Sequence, residues 1–167
     1  AGQLAHYESV PDAKLIGMRV NLQPTEYLEL GASRAMQWGG DGRPQSGKSL
    51  WNAFTGRGDN ADTTDQRRNE PGNQLAGFDA KLKLQPLTGW PVSVYGQMIG
   101  EDESGGLPSK NTYLLGVEGS HALGQNALNW YLEGADTTTK LGSKEGITYN
   151  HHIYKNGYYQ DGAPLGY

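Results

Sequence analysis

Cysteine is absent from these 167 residues, so neither disulfides nor thiolate metal sites hold the chain together. Phenylalanine is nearly missing, with 2 residues, and hydrophobic residues reach only 35%. A water-soluble domain of this length would carry more Leu, Ile, Val and Phe for its interior. No stretch approaches the ~20 consecutive apolar residues of a transmembrane helix, so any crossing of a bilayer must be made by strands. A basic excess is lacking too. The net charge of −4 and a pI near 5.5 disfavour a nucleic-acid partner. The opening Ala1-Gly2-Gln3-Leu4-Ala5-His6 has neither a basic start nor an apolar core, so a signal peptide is expected to have been removed or to lie in a longer chain.

What the chain does contain is 25 Gly, 10 Tyr and 4 Trp, with a mean hydropathy of −0.69. Such hydrophilicity fits disorder or a barrel with a wet lumen, and an aromatic content of 10% argues against simple disorder. The period-two pattern decides for strands. Between Lys14 and Gln23, Ile16, Met18, Val20 and Leu22 alternate with Gly17, Arg19, Asn21 and Gln23. From about Tyr27 to Trp38 the apolar set is Leu28, Leu30, Ala32, Met36 and Trp38, with Arg34 as a misfit that a bulge or a rim position would relieve. From about Leu75 to Gln85, Phe78, Ala80, Leu82 and Leu84 alternate with Asp79, Lys81 and Lys83; Val92, Val94, Gly96 and Met98 follow after a turn at Pro86–Pro91. Tyr113, Leu115 and Val117, then Leu128, Trp130 and Leu132, continue the rhythm. Charges alternating with apolar groups over this length suit a sheet between lipid and water.

Six strands of ~10 residues match the length of a tilted strand crossing a bilayer. The connections alternate as well. Pro24, Pro86–Pro91 and Ala122–Asn126 read as short turns, whereas Gly39–Gln74, Glu101–Asn111 and Thr137–Gly146 read as long loops. Short turns on one side and long loops on the other is the outer-membrane pattern; a soluble sandwich rarely separates them so regularly. Tyr27 and Trp90 lie near short turns and Trp38 near a long loop, as interfacial girdles require. Six spanning strands cannot close, since bacterial barrels begin at about eight. The expected fold is therefore all-β: an antiparallel transmembrane β-barrel, present as about six to eight strands of a larger one. Residues 1–167 form a single partial barrel domain, and 39–74 is a long extracellular or plug loop.

Several motifs carry little chemistry. Gly42-Arg43-Pro44-Gln45-Ser46-Gly47-Lys48-Ser49 matches the phosphate-binding pattern G-x-x-x-x-G-K-S, yet the strand before it is amphipathic and no βαβ rhythm follows. Arg57-Gly58-Asp59 reads as a solvated turn, and Glu101-Asp102-Glu103 as a solvated acidic loop without an EF-hand register. His151 and His152 would point to opposite faces of a strand and cannot chelate one ion. No catalytic residue, metal ligand or cofactor is expected. The segment with Tyr149, Tyr154, Tyr158 and Tyr159, interleaved with His, Asn, Lys and Gly, offers aromatic faces and planar polar groups of the kind that bind sugars; girdle or packing roles account for it equally well.

Gly31-Ala32-Ser33-Arg34 leading to Gln37-Trp38-Gly39-Gly40-Asp41-Gly42 resembles the capsule-assembly Wzi family. So do Asn73 to Leu84, Val94-Tyr95-Gly96-Gln97 running into Gly100-Glu101-Asp102-Glu103, and Tyr113 to Gly119. Tyr131-Leu132-Glu133-Gly134-Ala135-Asp136-Thr137 and the closing Tyr149 to Gly166 follow in the family's order. The resemblance implies a barrel of about eighteen strands in the outer membrane of Gram-negative bacteria, its loops facing the cell surface. It also implies lectin-like binding of capsular polysaccharide without catalysis, some loops folding into the barrel mouth, and as partners the glycan, outer-membrane lipid and the remainder of the barrel or neighbouring chains. The expected glycan contacts are Trp51, Arg57, Arg67, Arg68, Tyr149, Tyr154, Tyr158 and Tyr159, with Arg forks pairing any uronic acid carboxylates. The alternative function is a porin-like channel whose lumen charges, Arg19, Asp79, Lys81, Lys83 and Glu118, tune selectivity. A nucleotide-binding enzyme working through Gly42–Ser49 ranks below both.

Overall fold

The computed structural model describes residues 2–3, 10–57, 70–104, 107–138, 151, 153–155, 157–160 and 163–164. Seven strands form one antiparallel sheet in sequence order: β1 (Gly2–Gln3), β2 (Lys14–Leu22), β3 (Leu28–Trp38), β4 (Gly72–Lys83), β5 (Val92–Ser104), β6 (Leu107–Leu123) and β7 (Asn126–Asp136). Helix α1 (Gly47–Thr55) lies between β3 and β4, and the four-residue α2 (Gln85–Thr88) between β4 and β5. A small hairpin, β8 (Tyr159–Gln160) with β9 (Ala163–Pro164), completes the elements. No described helix is long and apolar enough to cross a membrane.

The register fixes two faces, because residues paired across antiparallel strands share a side of the sheet. Val20 pairs with Ala32, Ala32 with Phe78, Phe78 with Met98 and Met98 with Tyr113. Leu115, Val117 and Leu132 follow on the same side. These side chains point out unburied: Val20 is 60% exposed, Leu115 71% and Leu132 69%. The apolar residues of the middle strands therefore do not meet in a sealed interior. The opposite face carries Arg19, Glu29, Asp79, Lys81, Tyr95, Glu118 and Glu133. An apolar band on one side and charges on the other is the two-faced pattern of a transmembrane barrel wall.

Two expected connections differ from the structure. The long loop expected over Glu101–Asn111 is a continuation of the β5–β6 hairpin, paired from Gly100↔Asn111 to Ser104↔Leu107. Its Gly, Asp and Ser content suggested a loop, but a hairpin extended past its sheet asks only for a paired backbone. The turn over Pro86–Pro91 contains α2, which begins at Gln85 and ends on Gly89 in the left-handed region (φ 78°).

Candidate functional site: the polar face and the long-loop end

On the polar face, charged side chains reach over whole strands. Strands lie ~4.8 Å apart, so groups two strands away meet only when long side chains lie flat on the sheet. Arg19 of β2 donates to Asp79 of β4 at 2.8 Å, crossing β3 at Gly31, which pairs with Asn21 on one side and Asp79 on the other. A Cβ at Gly31 would strike both partners. Tyr95 of β5 repeats the device: its hydroxyl donates to Glu133 of β7 at 2.6 Å, its ring lying over Gly116 of β6. Lys81 pairs with Glu118 over β5, and Lys83 pairs diagonally with Glu29 on β3. These partners are partly open to water, so each pair acts mainly to fix side-chain direction. The result is a polar recess of about 820 Å³ whose floor includes Arg19, Asn21, Asp79, Tyr95, Gln97 and Glu118. Its chemistry is hydrogen bonding in water. Among the described residues no three His, Asp or Glu side chains come together as metal ligands.

The long-loop end is built differently, with cover on both faces. Ser46 caps α1 by accepting from Ser49 N at 3.1 Å, and Gly56 ends it in the left-handed region. One helical turn apart, Ser49 and Ala53 are buried against the sheet, where Ala53 packs with Met36 and Trp38 and with the half-buried Ile16 and Leu50. Met36 and Trp38 continue the row of Leu30 and Ala32, so α1 lies on the outer face. The Trp38 indole donates to Ser49 Oγ at 3.2 Å, and the Lys14 ammonium sits 5.4 Å from the centre of the Trp38 ring. Arg34 donates to the carbonyl of Ala53 at 3.3 Å and to Gln74. A cation there meets carbonyls that the last turn of a helix leaves unpaired. This accounts for Arg34 in an apolar row: it sits at the rim, under α1, and needs no bulge. Trp38, expected in an open girdle, is instead roofed by the helix.

The inner face at this end is covered by Ile153, Tyr154 and Gly157. Gln37 donates to the carbonyl of Gly157 at 2.6 Å and accepts from Asn73 at 3.1 Å. Tyr154 donates to the Gly39 carbonyl at 3.1 Å and packs with Val10, Ala13 and Ile153. Among the described residues the cover on the polar side thus comes from the C-terminal segment, while the described part of the 39–71 connection puts its helix outside.

The expected glycan contacts are scattered by this arrangement. Trp51 (58% exposed) and Arg57 are open, both on the outer side with α1. Tyr154 (2% exposed) and Tyr158 are buried in this arrangement rather than open as stacking faces. Tyr159 lies on β8; Arg67, Arg68 and Tyr149 fall outside the described residues, as does His152. His151 is not on a strand. Sequence reasoning missed Gly31 and Gly116 as crossing points, although each follows or precedes a glutamate, Glu29 or Glu118, in the polar row. It also missed Phe54, three residues from Trp51 and stacked on it at 5.6 Å. The phosphate-loop reading fails on geometry. The strand before Gly42 is antiparallel to both neighbours, and Ser49 is buried under Trp38 rather than open to a magnesium ion.

An antiparallel wall with an apolar outer band and a charged, cross-braced inner face defines this chain as part of a β-barrel of the outer-membrane type. The family model for capsule assembly protein Wzi matches residues 1–167, and the chain belongs to that family. It is 60% identical over 141 residues to an uncharacterized 55.8 kDa protein in the cps region of Klebsiella pneumoniae, an alignment covering 84% of this chain and 27% of that protein. Among solved structures it is similar to Wzi, an outer membrane protein involved in group 1 capsule assembly in Escherichia coli and a carbohydrate-binding β-barrel. That match has 55% identity and a TM-score of 0.81, over 98% of this chain and 33% of the other. The chain thus spans about a third or less of the relatives it matches.

Proposed function

We propose that this chain forms part of an outer-membrane barrel that binds and anchors capsular polysaccharide at the cell surface without catalysing a reaction. The observation that carries the reading is the two-faced wall, together with its likeness to a barrel described as carbohydrate-binding. The long-loop end faces outward in this reading, and Arg57, Arg67 and Arg68 supply guanidinium forks for acidic sugars. Cover of the inner face by Ile153, Tyr154 and Gly157, pinned at Gln37 and Gly39, supports glycan held at the surface over glycan conducted through a pore. Binding of purified capsular polysaccharide to the full-length protein tests this. Replacing Arg57, Arg67 and Arg68 together by Ala is expected to lower glycan affinity and capsule retention while leaving membrane insertion intact; unchanged retention removes these residues from the role. A steady open conductance in a planar bilayer would favour the porin-like alternative.

A further inference from the structure

Helix α1 presents an aromatic face away from the wall. Ser49 and Ala53 point to the sheet, and at 100° per residue Trp51 and Phe54 fall on the far side. Both are exposed, at 58% and 40%, and their rings stack with an interplanar angle of 28°. Lys48 near one end of the helix and Arg57 just past the other are exposed as well.

The height of the apolar band says what lies against this face. The short turns mark its lower edge, and on β6 the outer row runs ten residue steps from Leu123 to Tyr113. At ~3.3 Å per residue and a tilt of ~40° this rises about 25 Å, the height of an outer-membrane apolar band. On β3 the same ten steps run from Leu28 to Trp38. The bare outer surface of β3 stops sooner, because Met36 and Trp38 are covered by α1. The helix therefore stands where lipid would otherwise touch the upper edge of the wall, and its outward aromatics continue the row below.

We infer that α1 is an interfacial helix lying in the outer leaflet, with Trp51 and Phe54 inserted at the boundary between headgroups and acyl chains. The amphipathic rings suit that depth, and Lys48, exposed in the first turn of the helix, is long enough to reach the headgroups from there. Trp51 leaves the set of expected glycan contacts on this inference. The proposal rests on the membrane reading of the wall, so its test carries a separate reporter for the wall.

Single-cysteine variants Phe54→Cys and Val20→Cys of the full-length protein, labelled with an environment-sensitive fluorophore, are reconstituted in phosphatidylcholine vesicles. Spin-labelled lipid with the nitroxide high on the acyl chain and aqueous iodide serve as quenchers. Both labels are expected to be quenched by the lipid and to resist iodide several-fold better than a label at the polar-face position Asn21. If position 20 is quenched by lipid and position 54 by iodide alone, the helix proposal fails while the wall stands. If neither is quenched by lipid, the membrane reading itself fails. Shielding of position 54 from iodide by added capsular polysaccharide, without lipid quenching, would overturn the proposal in favour of a glycan-facing helix.

Discussion

The two ends of the wall are made of the same strands but follow different rules. Toward the short turns each strand has one apolar face and one charged face, neither covered by other elements; Val20, Leu22, Leu123 and Leu128 are open outside while Arg19, Lys81 and Lys83 pair inside. Toward the long loops both faces are covered, by α1 outside and by Ile153, Tyr154 and Gly157 inside, and Met36, Gln37, Asn73, Gln74 and Leu75 are buried there whatever their polarity. Burial at that end is set by what folds back over the strand rather than by alternation. Polar residues are tolerated because their partners are supplied: Gly157 and Asn73 for Gln37, and Arg34 for Gln74.

Substitutions sharpen this contrast. The largest effect is expected at Leu132→Arg, an exposed outward position six residues along β7 from the Ala122–Asn126 turn, near the middle of the outer row. If lipid bathes it, the charge costs about 2–4 kcal/mol in urea unfolding of the full-length protein from vesicles. A wall standing in water would accept it with almost no loss, and that outcome would erase the difference between the faces. Next comes Arg34→Ala at the covered end. Loss of its bonds to Ala53 and Gln74 should destabilise the α1 attachment by about 2 kcal/mol. It should also expose the 39–57 segment to limited proteolysis; protection equal to the parent protein would show that α1 is held by apolar packing alone. The smallest effect belongs to Asp79→Asn on the polar face. Its partner Arg19 is open to water, so the change should stay below about 1 kcal/mol and shrink further in 1 M salt. A larger, salt-resistant loss would mean that the inner face excludes water around this pair.

How much of this was legible in the sequence follows the same division. Alternation in Ile16–Leu22, Phe78–Leu82 and Tyr113–Val117 placed the strands, and the short turns at Pro24 and Ala122–Asn126 placed their lower edge, because local spacing decides both. Arg34 looked wrong in its row because its partners are a helix carbonyl and a glutamine forty residues away. Tyr154 looked like a sugar platform because composition cannot tell an open aromatic from one packed against Val10 and Ala13. The extended β5–β6 hairpin was hidden by loop-like composition, since pairing of Asp102 with Ser109 draws on the backbone. Ser49 could not be dismissed as a magnesium ligand until Trp38 was seen above it.

The connection between β3 and β4 enters and leaves the wall through neighbouring strands joined from Leu28↔Leu82 to Trp38↔Gly72. A drag applied to that connection from above runs down the axes of both strands together, so it does not peel them apart. It is resisted in shear by the flanking ladders to β2 and β5, where many bonds share the load at once. The fold turns a pull on its surface into a load spread over four strands, which is the mechanical property a tether needs.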